Sequence, residues 1–139
     1  MRFLLDTNVI SESARPSPNP GVVAWLERQP HETTFLSAAT WAELRRGAAR
    51  LQPGARRQQL ERWLERDLPL RFWDRILTLD LPVADAWGRL VARRECVGRP
   101  IHPMDAWIAA TAEAHQLTLV TRDQEDFRDC GVPVLNPWT

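Results

Sequence analysis

The chain has 139 residues, a formal net charge of zero and 44% hydrophobic residues, one domain's worth of sequence able to bury roughly two-thirds of its unfolded surface. All 18 basic residues are Arg, with no Lys and no Tyr, while Pro (11) and Trp (7) are numerous; biased coding composition accounts for the excesses, but the missing Lys excludes Schiff-base chemistry and P-loop nucleotide hydrolysis. Zero net charge removes bulk attraction to nucleic acid or a membrane, and the only two Cys, Cys96 and Cys130, fit neither a disulfide framework nor a zinc site.

Taken in chain order, Arg2-Phe3-Leu4-Leu5 is a short apolar run that reads as a buried strand, and Asp6 at its carboxyl end opens Thr7-Asn8. Pro16, Pro18, Pro20 and Gly21 mark a loop before a helix through Val22, Val23, Trp25 and Leu26. Thr33-Thr34-Phe35-Leu36 reads as a second strand. Ser37 then caps a helix whose apolar face is Trp41, Leu44, Ala48 and Leu51 and which Pro53-Gly54 ends. The pattern predicts a helix over residues 55–66 on Leu60, Trp63 and Leu64, a strand over 75–79, and a helix from Pro82 with Val83, Trp87, Leu90 and Val91 on one face, stopping before Gly98-Arg99-Pro100. Pro103 starts a helix to about Gln116, and 117–120 and 132–135 complete the strands. Strands alternating with helices predict an α/β domain over residues 1–139, with a parallel sheet of four to five strands flanked by helices on both faces. No apolar run reaches membrane-spanning length and the first residues do not form a signal peptide, so a soluble cytoplasmic protein is expected.

The acids carry the functional signal. In open α/β sheets, ligands bind at the carboxyl edge of the strands, where Asp6 belongs. Asp105 shares a helical stripe with Ile108, Ala109 and Ala112, at spacings of three, four and seven, so it points toward the sheet rather than away from it. A place in the first helical turn, favoured by the macrodipole, explains its position along the helix but not its inward face. Taken singly, Asp6 reads equally as a helix N-cap, Glu43 as a solvated helix acid and Asp123 as a turn residue. Taken together, Asp6 and Asp123 both follow apolar strands, and Asp105 heads the helix before one of them. If these three and Glu43 converge, the dense negative pocket that results becomes tolerable with a hard cation. Thr7, Asn8 and Thr121 add hydroxyl and amide groups at the same edge, suited to orienting carboxylates and metal-bound water. Seven Arg lie between Arg45 and Arg66 against two acids, Glu61 and Glu65. That run, with Arg45, Arg46 and Arg50 beside Glu43, reads either as a solvated helical face or as a track for a phosphate backbone.

The set Asp6-Thr7-Asn8, Glu43, Pro103-Met104-Asp105 with Ile108-Ala109-Ala110, and Thr121-Arg122-Asp123 with Asp126-Phe127 resembles the PIN-domain ribonucleases, specifically VapC-type and FitB-like toxins, over essentially the whole chain. The closing Asn136-Pro137-Trp138 resembles the FitB-like branch. The resemblance implies a toxin of a type II toxin–antitoxin pair, a homodimer that forms a higher oligomer with its cognate antitoxin, and an antitoxin chain lying in a groove near the active site. It also implies a cluster of Asp6, Glu43, Asp105 and Asp123 that binds divalent metal, Mg²⁺ or Mn²⁺. Many relatives carry Asn where this chain has Asp123, which leaves open whether Asp123 or Asp126 reaches the metal.

Hydrolysis of an RNA phosphodiester needs an activated water, charge relief on the non-bridging oxygens and a stabilised leaving group, which carboxylate-bound metal can supply. In that chemistry Asp6 and Asp105 are expected as direct ligands, Glu43 as the group that orients or deprotonates water, and Asp123 as the completion of a second metal site, with Thr121 and Asn8 supporting them. An aspartyl-phosphate phosphohydrolase or a receiver-type signalling domain would need a Lys. A PIN scaffold that binds RNA or a partner without cutting is the non-enzymatic alternative, against which four intact acids weigh.

Overall fold

The computed structural model describes all 139 residues. Its centre is β1 (Phe3–Leu5), buried throughout. Beside it run β2 (Thr34–Ser37), β3 (Ile76–Leu77), β4 (Thr118–Val120) and β5 (Val134–Leu135), all parallel, in the order β3-β2-β1-β4-β5. Side chains alternate across a strand, and the core divides accordingly. Phe3 and Leu5 pack with Val9, Ile10, Val22 and Trp25 on one face, whereas Leu4 packs with Leu90, Ile108, Ala109 and Ala112 on the other. The first face is covered by α1 (Thr7–Ser13), α2 (Pro20–Arg28) and the helical stretch after residue 55, the second by α6 (Leu81–Cys96) and α7 (Pro103–Ala114).

The chain leaves β1 toward β2 and β3, then returns to the opposite side of β1 for β4 and β5. The direction of strand order therefore reverses between β1 and β4, where a doubly wound sheet opens its ligand crevice. Register brings the two strand ends level: Leu5 pairs with Val120, and the Asp6 N–H donates to the Val120 carbonyl at 2.9 Å. No helix is long and apolar enough to cross a membrane.

Several expected boundaries move for local reasons. The helix expected over 55–66 is α4 (Ala55–Arg62), a π-helical turn (Trp63–Asp67) and α5 (Leu68–Phe72). Pro69 has no N–H for the i−4 carbonyl, and the Leu68 N–H reaches back five residues to Trp63, the accommodation a π-bulge supplies. The strand expected over 75–79 is only Ile76–Leu77, because its one neighbour β2 ends at Ser37, the partner of Leu77, and Asp80 then caps α6 by accepting from the Val83 N–H at 3.2 Å. The helix from Pro103 stops at Ala114, before Gln116 takes a left-handed backbone with φ 55°. The last strand shrinks from 132–135 to Val134–Leu135. Pro133 cannot donate to a ladder, although its carbonyl accepts from Leu119 at 2.9 Å. Helix α1, visible in the sequence only as a possible cap at Asp6, is a separate element.

Candidate active site

Asp6 is at once cap and acid. As N-cap of α1 its Oδ1 accepts from the Thr7 N–H at 2.8 Å, while Oδ2 accepts from the Thr121 hydroxyl at 2.7 Å and the Asn8 amide at 3.4 Å. It is only 5% exposed. Burial pushes its carboxyl up to about 6; the bonds from Thr121 and Thr7 oppose that rise, and the charges of Asp105 and Glu43 add to it.

Asn8 stitches the strand ends together. Its amide donates to the Thr121 hydroxyl oxygen at 3.1 Å and to Asp123 Oδ2 at 3.2 Å, and its carbonyl accepts from the Arg122 N–H at 3.4 Å. Thr121, fully buried, also accepts from the Asp123 N–H at 3.0 Å. The two short polar side chains thus hold Asp6 from β1 and Asp123 from β4 in one frame.

Glu43 arrives on α3 (Ala38–Ala49), which Ser37 caps by accepting from the Ala39 N–H at 3.1 Å. The Ser37 and Thr111 hydroxyls meet at 3.1 Å in the interior, fastening the start of α3 to α7. Glu43 is half-buried, and the Thr7 hydroxyl donates to its Oε1 at 2.7 Å. The contact across the sheet edge separates it from the solvated helix acid that its sequence alone also allows.

Asp105 lies in the first turn of α7, with Ile108, Ala109 and Ala112 of its stripe fully buried and Asp105 itself half-buried at the rim. Burial raises its carboxyl above the ordinary carboxylate range; Asp126, Glu43 and Asp123 push it further and His102 opposes them. Asp105 thus feels the charges of Glu43, Asp123 and Asp126, and Asp6 those of Asp105 and Glu43. Asp126 is the strongest charged influence on Asp105, while the Asp123 carboxylate is tied to Asn8. Both are exposed on the segment after β4 and line one surface recess together.

No three of these side chains, as placed, form a closed cage that could hold an ion directly. The donor chemistry nevertheless fits a hard divalent cation: every group is an oxygen donor, and two carboxyls hold their protons more tightly than usual, first because they are buried and then because other acids stand near them. Magnesium, which keeps several of its waters, needs only one or two direct carboxylates. Asp6 and Asp105 would hold it, with Glu43 and the Asp123–Asp126 pair reaching it through water.

The expected arginines divide. Arg45 is engaged by Glu65 at 3.0 Å, and Arg57 by Glu61 at 2.8 Å. Arg46 and Arg50 are exposed and have no carboxylate at ion-pair distance. Arg56 of the same run, not distinguished by the sequence, borders a recess with Thr7 and Glu43. It also lines an adjoining cleft of about 850 Å³ with Asn8, Arg15, Leu44, Trp63 and Arg122. Arg15 and Arg122 stand alone in the sequence, and only the convergence of α1, α4 and the β4 end reveals them.

A parallel α/β protein with acids gathered at its switch point is the class that this fold and site define. The family model for the PIN domain matches residues 3–132, and the chain belongs to that family. It is 46% identical to the toxin FitB of Neisseria gonorrhoeae, across 98% of each chain, and 40% identical to the VapC ribonuclease Y4jK of Sinorhizobium fredii, across 98% of this chain and 97% of that one. Among solved structures it superposes on FitAcB from Neisseria gonorrhoeae with a TM-score of 0.91, at 46% identity across 98% of each chain. A toxin–antitoxin complex from Klebsiella pneumoniae matches with a TM-score of 0.68, at 30% identity across 97% of each chain.

Proposed function

We propose that the protein is the toxin of a toxin–antitoxin pair and acts as a divalent-metal-dependent endoribonuclease. The observation that carries this reading is the Asp6 carboxyl, buried at the switch point of a PIN domain, raised to about 6 and bordered by Asp105 and Glu43. Asp6 is satisfied as a helix cap, but its burial beside two further acids makes it a good receptor for a cation. The similarity to a protein named as a toxin and another named as a VapC ribonuclease supports the same conclusion.

A bound Mg²⁺ or Mn²⁺ supplies charge relief on the phosphate oxygens and a more acidic water. The chain's own groups do the rest. Asp6 and Asp105 would hold the cation; Thr121 and Asn8 fix the Asp6 carboxylate. Glu43, its Oε1 occupied by the Thr7 hydroxyl, offers Oε2 to orient the attacking water and take its proton. Asp123, or Asp126 beside Asp105, completes the acidic ring. Arg46, Arg50 and Arg56 meet the RNA backbone as it enters; Arg45 contributes less because Glu65 already engages it. The partners of this reading are a cognate antitoxin, supported by the likeness to a solved toxin–antitoxin complex, and a second copy of the chain in a cytoplasmic homodimer.

The test is cleavage of a mixed RNA pool by purified protein in Mg²⁺, in Mn²⁺ and in chelator. Cleavage should appear with either metal, vanish with chelator, and fall at least about a hundredfold in Asp105→Asn, the upper end of the loss expected from disturbing even the outer partners of a metal ligand. Cleavage that persists in chelator, or in Asp105→Asn, overturns the mechanism. No cleavage by the intact protein under any condition leaves the non-cleaving PIN scaffold as the answer.

A further inference from the structure

The end of α6 buries a positive charge that no sequence pattern advertises. Arg94 is 5% exposed. Its Nε donates to the Arg99 carbonyl at 2.7 Å, and its Nη1 lies 2.9 Å from the Arg128 carbonyl, 3.3 Å from the Asp126 carbonyl and 3.2 Å from Cys130 Sγ. No carboxylate lies at ion-pair distance from it. A cation withdrawn from water onto main-chain carbonyls bears a desolvation cost, so the acceptors it gathers are the reason for it.

Those acceptors belong to two separate pieces of chain, the turn after α6 and the segment following Asp123. That second segment has little regular structure to hold it. Beyond the 3₁₀ turn Gln124–Phe127 it passes through Asp129 at φ 62°, a left-handed backbone uncommon outside glycine. Two further ties come from the same direction: Arg93 donates to the Cys130 carbonyl at 3.2 Å, and Arg99 pairs with Asp129 at 2.9 Å. Arg94 also borders a surface recess with His102, Asp105 and Asp126. Its anchorage is therefore one side chain away from the acids themselves.

We propose that Arg94 is a positioning residue for the acidic site: its guanidinium clamps the segment after β4 so that Asp126 stands against Asp105. The proposal rests on the reading of this site as a divalent-metal centre and names the group that sets its loop-borne half. A rigid planar fork reaches the Arg99 and Arg128 carbonyls simultaneously; the single ammonium of Lys would not hold both in the same geometry.

The test compares Arg94→Lys and Arg94→Gln with the unaltered protein by Mn²⁺ calorimetry, amide hydrogen exchange and cleavage kinetics. Each variant should bind Mn²⁺ about tenfold more weakly, exchange faster over residues 126–131 but not over β1, and lose kcat with little change in KM for RNA. In an Asp126→Asn background, the effect of Arg94→Lys on Mn²⁺ affinity should disappear, since the clamp would no longer have a carboxylate to place. Variants that bind Mn²⁺ as tightly as the unaltered protein, or an affinity loss that persists in that background, overturn the proposal. If neither variant folds, exchange in the unaltered protein decides: Mg²⁺ should slow the amides of 123–131, and protection confined to β1 and α7 refutes the clamp. If the unaltered protein cleaves no RNA, the ribonuclease reading fails while Mn²⁺ affinity and exchange still judge Arg94.

Discussion

Asp6 and Asp123 follow neighbouring parallel strands at the same edge of one sheet, yet they are different chemical objects. Asp6 follows β1 directly, is closed in by α1 and Thr121, and carries a carboxyl raised to about 6. Asp123 comes three residues after β4, with a side chain 47% exposed and steadied by the Asn8 amide. The first belongs to the rigid half of the site, fixed by the central strand and the first turns of α1 and α7. The second opens a segment that Asn8 and Thr121 hold at Asp123 and that arginines at the end of α6 hold further along, at residues 126–130. Burial makes an acid expensive and responsive to a cation; exposure makes it cheap and dependent on what positions it.

The largest expected contrast is catalytic. Asp6→Asn should reduce cleavage at least about a hundredfold, whereas Asp123→Asn, which preserves the shape and the Asn8 contact, should reduce it nearer tenfold, the scale of a supporting partner of a metal ligand. Steady-state cleavage rates in excess Mg²⁺ check this, with Asp126→Asn as the third arm. Equal losses for Asp6 and Asp123 would erase the distinction between the two halves of the site.

A second contrast lies in stability without metal. Burial lifts the Asp6 carboxyl of the folded protein from the ordinary 3.8 to about 6, so the folded protein binds that proton more tightly than the unfolded chain does. The resulting stability is complete below about pH 4 and is lost as pH rises through about 6; a rise of that size corresponds to on the order of 3 kcal/mol. In chelator, Asp6→Asn should therefore melt higher than the unaltered protein at about pH 7.5, with the advantage shrinking toward about pH 4. Thermal melts across that pH range settle the matter, and an Asp6→Asn advantage independent of pH would mean that burial does not strain this carboxyl.

The smallest effect concerns RNA binding at the cleft. Arg56→Gln should weaken RNA affinity and reduce the slope of log affinity against log salt by about one, as expected for one lost phosphate contact. Arg45→Gln should do less because Glu65 holds that guanidinium. Binding titrations at several salt concentrations compare the two. An unchanged slope for Arg56→Gln would return the arginine run to the role of a solvated face.

The sequence alone determined the layered architecture, because strand-length apolar runs punctuated by amphipathic helices leave few ways to bury both faces of a sheet. It also marked Asp6 and Asp105, one by its place after a buried strand and the other by an apolar stripe that continues from it. Element ends were less legible, since the missing N–H of Pro69, the cap at Asp80 and the left-handed Gln116 are single local events that periodicity averages away. Tertiary structure decided the site itself. The return of the chain to the far side of β1 sets Thr121 against Asp6, a meeting of residues 115 positions apart that no local pattern encodes. It decided equally that Glu43 is gripped by Thr7, that Arg45 is spent on Glu65 while Arg56 faces the cleft, and that Arg94 is buried under the Asp126 segment. A local sequence pattern records what a residue prefers; its charge environment depends on which distant residues the fold brings within a few ångströms.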